Sequence, residues 1–144
     1  MKKMVIFFLF CMLIGGNINS QTANNVTITV EITNVTVNEG MVYLVFFSNA
    51  ESFSREDPEF AFGLQANNTR LSRTVSIPAG EYVVSAFQDA NGNQNLDNNL
   101  LGIPRELVGI SNYDGRGLPT RNFERQKIII NNTTRTITLR LYRF

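Results

Sequence analysis

The sequence predicts an all-β protein: a two-sheet antiparallel β-sandwich, immunoglobulin-like or transthyretin-like, with two long loops. Three observations predict this fold. Apolar and polar residues alternate with a period of two over several short segments, turn-forming residues separate the segments, and no segment carries a helical stripe. Six or seven short strands in a chain of 144 residues suit one sandwich domain, which we place at residues 21–144.

The first twenty residues have the pattern of a signal peptide. Lys2 and Lys3 precede an apolar run over residues 4–14, and a polar segment ends at Ser20. As a helix the run would span only about 16 Å, against a bilayer core of roughly 30 Å. We therefore predict signal residues 1–20, cleavage after Ser20, and an exported chain, periplasmic or secreted, without a membrane span.

Turn-forming residues separate most of the predicted strands. They cover residues 26–33, 41–47, 71–77, 81–88, 123–130 and 134–142, with a further short strand near 108–111. The turn over 131–133 predicts that the last two strands form a hairpin. Two interpretations of Tyr82 are open. A tyrosine in a Gly-x-Tyr step often hydrogen-bonds to nearby backbone through its hydroxyl, but Tyr82 could also be an ordinary aromatic residue of the strand.

Two long segments, residues 48–70 and 98–122, interrupt the strand pattern and are predicted as loops. Loops of this length in a small domain are usually functional or disordered. Phe53, Phe60 and Phe62 predict that the first loop packs over an edge of the sandwich, with a ligand groove as the alternative.

The composition excludes several kinds of chemistry. The chain has no histidine and one cysteine, Cys11, so it lacks a Ser-His-Asp triad, a Cys-His dyad and a histidine-ligated metal. Cys11 lies within the signal segment after Phe10, which argues against lipidation. The formal charge of +1 is too small to indicate binding to nucleic acid, which usually requires a strongly basic surface. We expect a monomer that is not an enzyme.

One short segment carries oxygen ligands at alternate positions, directly after the strand over 81–88. In an EF-hand-like loop Asp89, Asn91, Asn93 and Asp97 would supply side-chain oxygens to Ca²⁺, and Asn95 would supply its backbone carbonyl. The sequence therefore predicts a candidate calcium site.

This motif departs from the EF-hand pattern at two positions. Gln94 stands where that pattern has glycine, and Leu100 stands where it has a bidentate glutamate. With two formal negative charges the expected dissociation constant is on the order of 10⁻⁴–10⁻³ M, as in extracellular modules. The alternative is an Asn/Gly-rich turn whose side chains bond to their own backbone.

A series of short motifs also resembles a known family. The motifs are Pro78-Ala79-Gly80-Glu81-Tyr82, Ala86-Phe87-Gln88-Asp89-Ala90-Asn91-Gly92-Asn93, Leu96-Asp97, Leu101-Gly102-Ile103-Pro104-Arg105-Glu106 and Gly109-Ile110-Ser111-Asn112. Together they resemble the DUF2141 family of small exported bacterial proteins, over about residues 26–141. The resemblance implies a secreted or periplasmic β-sandwich in a Gram-negative-type bacterium and no established activity.

Three functions remain open from the sequence. The first is a non-enzymatic exported domain in which Ca²⁺ stiffens the second long loop. The second is a carbohydrate- or protein-binding module whose loops recognise an extracellular or periplasmic ligand through residues such as Tyr113 and Arg116. The third is a carboxylate hydrolase using Glu106 and Asp114. It has the least support, because charged side chains in loops are usually solvated.

Overall fold

The computed structural model describes residues 24–144. The predicted signal peptide over residues 1–20 lies outside these residues. The secondary structure is, in chain order, β1 Asn25–Thr33, β2 Met41–Phe47, α1 Ala50–Arg55, β3 Phe60–Gln65, β4 Arg70–Pro78, β5 Gly80–Asp89, β6 Leu107–Ile110, α2 Phe123–Gln126, β7 Ile128–Ile130 and β8 Thr136–Arg140. This β-rich content confirms the predicted fold class.

The strands form two sheets, as a sandwich requires. The smaller sheet has the order β4-β1-β8, and the larger has the order β3-β2-β5-β6 with β7 also pairing with β5. All pairings are antiparallel except that of β1 with β8, which is parallel.

The main core lies between the sheets because alternate residues of each strand point inward. On β1, Ile28 and Ile32 are at most 1% exposed, and on β2 Leu44 and Phe46 are fully buried. Leu139 of β8 joins the same cluster at 2% exposure.

The larger sheet is also covered on part of its outer face. Val45, Phe47 and Val83 form a second buried cluster with Phe123 of α2, and Phe53 of α1 packs against it. The rings of Phe47 and Phe53 have centroids 5.3 Å apart. The short helices therefore cover part of this face.

Three sequence predictions are wrong in detail. Residues 48–70 are not one loop, since they contain α1 and the edge strand β3. Residues 123–126 are helical, because the side chain of Asn122 caps them by accepting the backbone N–H of Arg125. The last two strands form no hairpin, since β7 pairs with β5 in one sheet and β8 pairs with β1 in the other.

The predicted hydrogen bond from the Tyr82 hydroxyl to nearby backbone is confirmed. Its ring is buried at 4% exposure, and its hydroxyl donates to the backbone carbonyl of Pro78 at 3.1 Å. Since β4 ends at Pro78 and β5 begins at Gly80, this bond braces the point at which the chain crosses between sheets.

Candidate functional site

The Asp/Asn loop, residues 89–97, begins at the end of β5 and closes around its first carboxylate. Asp89 is fully buried. Its Oδ1 accepts backbone N–H groups from Gly92 at 2.8 Å and Asn93 at 3.2 Å, and its Oδ2 accepts that of Gln94 at 2.8 Å. Three charge-assisted bonds make Asp89 the residue that organises the loop.

The bend of the loop falls where the motif requires it, although glycine is missing there. Gln94 has a φ of +62°, in the left-handed region that favours glycine, and Gly92 has a φ of +75°. The chain thus adopts the EF-hand-like bend at Gln94 despite the steric cost of its Cβ.

The second carboxylate of the loop faces two side-chain amides. Asp97 Oδ2 accepts the Nδ2 of Asn91 at 2.6 Å, and both oxygens of Asp97 accept the Nδ2 of Asn93 at 3.0 Å. The Oδ1 atoms of Asn91 and Asn93 in turn accept the backbone N–H groups of Asn93 and Asn95. The five predicted ligand residues therefore meet in one loop, where they bond to one another.

Glu106 lies outside the Asp/Asn loop in the chain but contacts it through hydrogen bonds. It is 7% exposed, and its carboxylate accepts the N–H of Ala90 at 3.2 Å and that of Asp97 at 3.3 Å. Burial raises the pKa of Glu106, and the nearby charges of Asp89 and Asp97 raise it further, against the opposing effect of its two N–H donors. The sequence holds no local signal for this contact, because it depends on the pairing of β6 with β5, which places Leu107 opposite Gln88.

The charge at the loop base is not compensated by basic side chains. Among residues 24–144, no lysine or arginine forms an ion pair with Asp89, Asp97 or Glu106. In the same part of the chain, no group of three or more acidic, cysteine or histidine side chains is arranged to hold a metal ion.

A groove lies on the outer face of the larger sheet beside the short helices, and it shares Val45 and Phe47 with the second buried cluster. Its floor consists of two cross-strand rows: Ala61, Val45, Ser85 and Ile110 in one, and Tyr43, Phe87 and Val108 in the other. The rings of Tyr43 and Phe87 have centroids 5.4 Å apart. The groove has a volume of about 560 Å³.

Both long segments and the Asp/Asn loop form the walls of this groove. Phe53 and Pro58 stand on one side, and residues 94–96 of the Asp/Asn loop stand on another. The second long segment contributes Leu118 and Pro119. The Asp/Asn loop is therefore a structural part of the groove.

One ion pair crosses between the walls. The guanidinium of Arg121 lies 2.8 Å from a carboxylate oxygen of Glu56, and both residues line the groove. The pair brings the two long segments together and balances the charge at the rim.

The two residues suggested for loop recognition lie elsewhere. Tyr113 packs against the rings of Tyr142 and Phe144, with centroids 5.3 Å and 5.8 Å from its own. Arg116 is highly exposed and lies 3.7 Å from the carboxylate of Asp114. Neither Tyr113 nor Arg116 lines the groove.

The comparisons with known proteins agree with the motif series. The model of the family DUF2141, described as an uncharacterized protein conserved in bacteria, matches residues 30–138. The chain belongs to the DUF2141 family. The matched residues of this DUF2141 protein include the Asp/Asn loop and every residue of the groove.

The resemblance predicted from the sequence is thereby confirmed, and the family description assigns no activity. No curated protein and no solved structure matches the chain. Within residues 24–144, none of the helices has the length and apolar character needed to cross a membrane.

Proposed function

We propose that this protein is an exported, non-enzymatic binding module that takes a small, uncharged and largely apolar ligand in the groove. The observation that carries the proposal is the apolar floor between the two long segments, on which the rings of Tyr43 and Phe87 stay partly exposed. Ligand sites are typically concave, mostly apolar and between about 300 and 1,000 Å³, so a groove of about 560 Å³ falls within that class.

The construction of the outer face supports this choice. The helices α1 and α2 cover one part of the face, where Phe47 and Val83 are at most 6% exposed. Outside that part, Tyr43 and Phe87 stay partly exposed to solvent. Apolar surface gains about 25 cal/mol per Å² when it leaves water, so an apolar ligand would be stabilised there.

The charges at the rim favour an uncharged ligand. Glu56 and Arg121 are the charged residues that line the groove, and they pair with each other. A ligand with a net charge would have to separate that pair or remain uncompensated beside it.

The test uses N-phenyl-1-naphthylamine, a neutral dye that fluoresces in apolar surroundings. We expect the full chain to enhance its fluorescence saturably. Ala61→Phe places a ring on the floor of the groove and should weaken dye binding at least about tenfold, whereas Ala79→Phe, at an exposed turn alanine, is the matched control. Equal dye binding by both variants and the unchanged protein would contradict the proposal.

A second function, weak calcium binding by the Asp/Asn loop, is favoured by a separate observation. Asp89 and Asp97 lie in one short loop, and neither forms an ion pair with a basic side chain among residues 24–144. Gln94 also supplies the bend that the motif needs. As the loop stands, its carboxylates are not arranged to hold a metal ion, so the loop would have to rearrange on binding. Binding would require the amides of Asn91 and Asn93 to turn, so that oxygen instead of nitrogen faces Asp97. Because residues 94–96 line the groove, calcium would also stiffen its wall.

A further inference from the structure

Two adjacent leucines protrude from the second long segment. Leu100 is fully exposed and Leu101 is 83% exposed, the highest values for large apolar side chains within residues 24–144. They stand at the tip of a narrow turn, which we call the leucine turn and define as residues 97–105. Its two ends meet where the N–H of Arg105 donates to the carbonyl of Asp97 at 2.8 Å.

The leucine turn is held in one shape by Asn99. The Oδ1 of Asn99 accepts the N–H groups of Leu101 at 2.8 Å and Ile103 at 3.0 Å, and its backbone pairs with the carbonyl of Ile103 and the N–H of Gly102. Gly102 has a φ of +74°, which glycine tolerates best. The leucines are therefore presented by a braced turn, so their exposure is not the result of an unstructured tail.

The shape and composition of the turn favour a lipid surface over a protein. A protein interface of standard size needs about 800 Å² from each partner, and leucine is under-represented among its energetically dominant residues. Two exposed leucines at one turn cannot supply an apolar area of that size. Residues 98–104 carry no charge, and Arg105 at the base can meet lipid phosphates.

We propose that the leucine turn inserts Leu100 and Leu101 into the headgroup–acyl boundary of a lipid bilayer and docks the protein at that surface. The inference goes beyond the proposed function and does not depend on what the groove binds. Gly102 and Pro104 belong both to the turn and to the groove lining, so docking would place the groove beside the lipid.

A tryptophan reporter tests the insertion directly, because the chain has no tryptophan of its own. Leu101→Trp in the full chain should shift its emission to shorter wavelength when vesicles of phosphatidylethanolamine and phosphatidylglycerol are added. Ile129→Trp is the matched control, at an apolar residue that is 63% exposed on β7. A reporter at position 101 that stays water-like with vesicles would overturn the proposal, and so would an equal shift at position 129.

A second measurement uses co-sedimentation with the same vesicles. The double variant Leu100→Ser with Leu101→Ser loses the two side chains that would enter the bilayer, so its vesicle binding should weaken by at least about tenfold. The control double variant Val37→Ser with Ile129→Ser should still sediment with the vesicles. Equal sedimentation of both double variants would count against insertion. A shift of the Leu101→Trp emission that depends on protein concentration and needs no vesicles would instead assign the turn to contact between two copies, which also overturns the proposal.

Discussion

Gln94 donates its backbone N–H to Oδ2 of Asp89 at 2.8 Å while holding a φ of +62°. The buried carboxylate therefore compensates a backbone conformation that a side chain other than glycine adopts at a cost of about 1 kcal/mol or more. Asp89 also accepts bonds from Gly92 and Asn93, so one carboxylate anchors three consecutive backbone N–H groups of the loop.

Replacing Gln94 with glycine is expected to stabilise the protein. Gln94→Gly removes the left-handed strain and keeps the N–H that Asp89 accepts, although it also adds freedom to the unfolded chain. The free energy of unfolding should rise by up to about 1 kcal/mol. Urea denaturation measures it, with Gln94→Ala as the control because alanine retains the strain. A glycine variant no more stable than the alanine variant would show that φ at this position carries no cost.

Removing the hydroxyl of Tyr82 should destabilise the crossing between β4 and β5. Tyr82→Phe leaves the carbonyl of Pro78 without its 3.1 Å donor, and a lost hydrogen bond of this kind costs about 0.5–1.5 kcal/mol. Tyr43→Phe is the matched control, since the hydroxyl of Tyr43 makes no hydrogen bond within residues 24–144. Equal midpoints of denaturation for the two variants would mean that the Tyr82 bond adds nothing.

The strands were predictable wherever their side chains alternate. The pattern at Val26, Ile28 and Val30 located β1, because one face of that strand packs inward and the other faces solvent. The apolar run of β2 also located a strand, but its continuity carried a further signal, since both Val45 and Phe46 are buried. Such a run indicates cover on both faces, which here comes from the helices.

The partnership of strands distant in the chain was not predictable from local pattern. Residues 131–133 have the composition of a hairpin turn, yet the chain passes there from the larger sheet to the smaller one. Register and sheet choice depend on long-range packing that no short window encodes.

Only the part of the candidate site that lies within one short segment was predictable from the sequence. Spacing placed Asp89 and Asp97 in one loop because both lie within a single short segment. Glu106 reaches that loop only through the pairing of β6 with β5, and the groove requires four strands and two long segments together.

The stability of the protein should depend on the ionisation of Glu106. Burial raises the pKa of Glu106 in the folded state above its ordinary value of 4.5, so the folded protein holds this proton at pH values where the unfolded chain has released it. Stability from this group therefore falls as the pH rises from about 4.5 through the raised value, and then levels off.

Glu106→Gln isolates that contribution. The variant removes the titration, so the difference in free energy of unfolding between the unchanged protein and the variant should decline with rising pH over this window. Denaturation at a series of pH values measures it. Curves that stay parallel would contradict a raised pKa for Glu106, and a difference that grows with pH would mean that its two N–H donors outweigh burial.

The charge selectivity of the groove should change when its rim is altered. Glu56→Gln leaves Arg121 without its partner, so the groove becomes positive at one end. The anionic dye anilinonaphthalene sulfonate should then bind up to about fivefold more tightly, since an exposed pair is worth about 1 kcal/mol or less. Binding of neutral N-phenyl-1-naphthylamine should stay unchanged. Glu51→Gln, in the exposed pair with Arg55 on α1, is the matched control, and an equal gain from it would place the effect outside the groove.

Calcium should stabilise the protein through the Asp/Asn loop if that loop binds it. With a dissociation constant of about 10⁻⁴–10⁻³ M, roughly 10 mM Ca²⁺ would add about 1.4–2.7 kcal/mol to the free energy of unfolding. Asp97→Asn should abolish this gain, because Asp97 contributes its carboxylate without holding the backbone bonds that Asp89 holds. Asp57→Asn, at an exposed aspartate before β3, should leave the gain intact. Thermal melts in calcium and in chelator compare the three proteins, with magnesium as a second ion. A gain that persists in Asp97→Asn, or no gain in the unchanged protein, would leave the loop as a self-bonded turn.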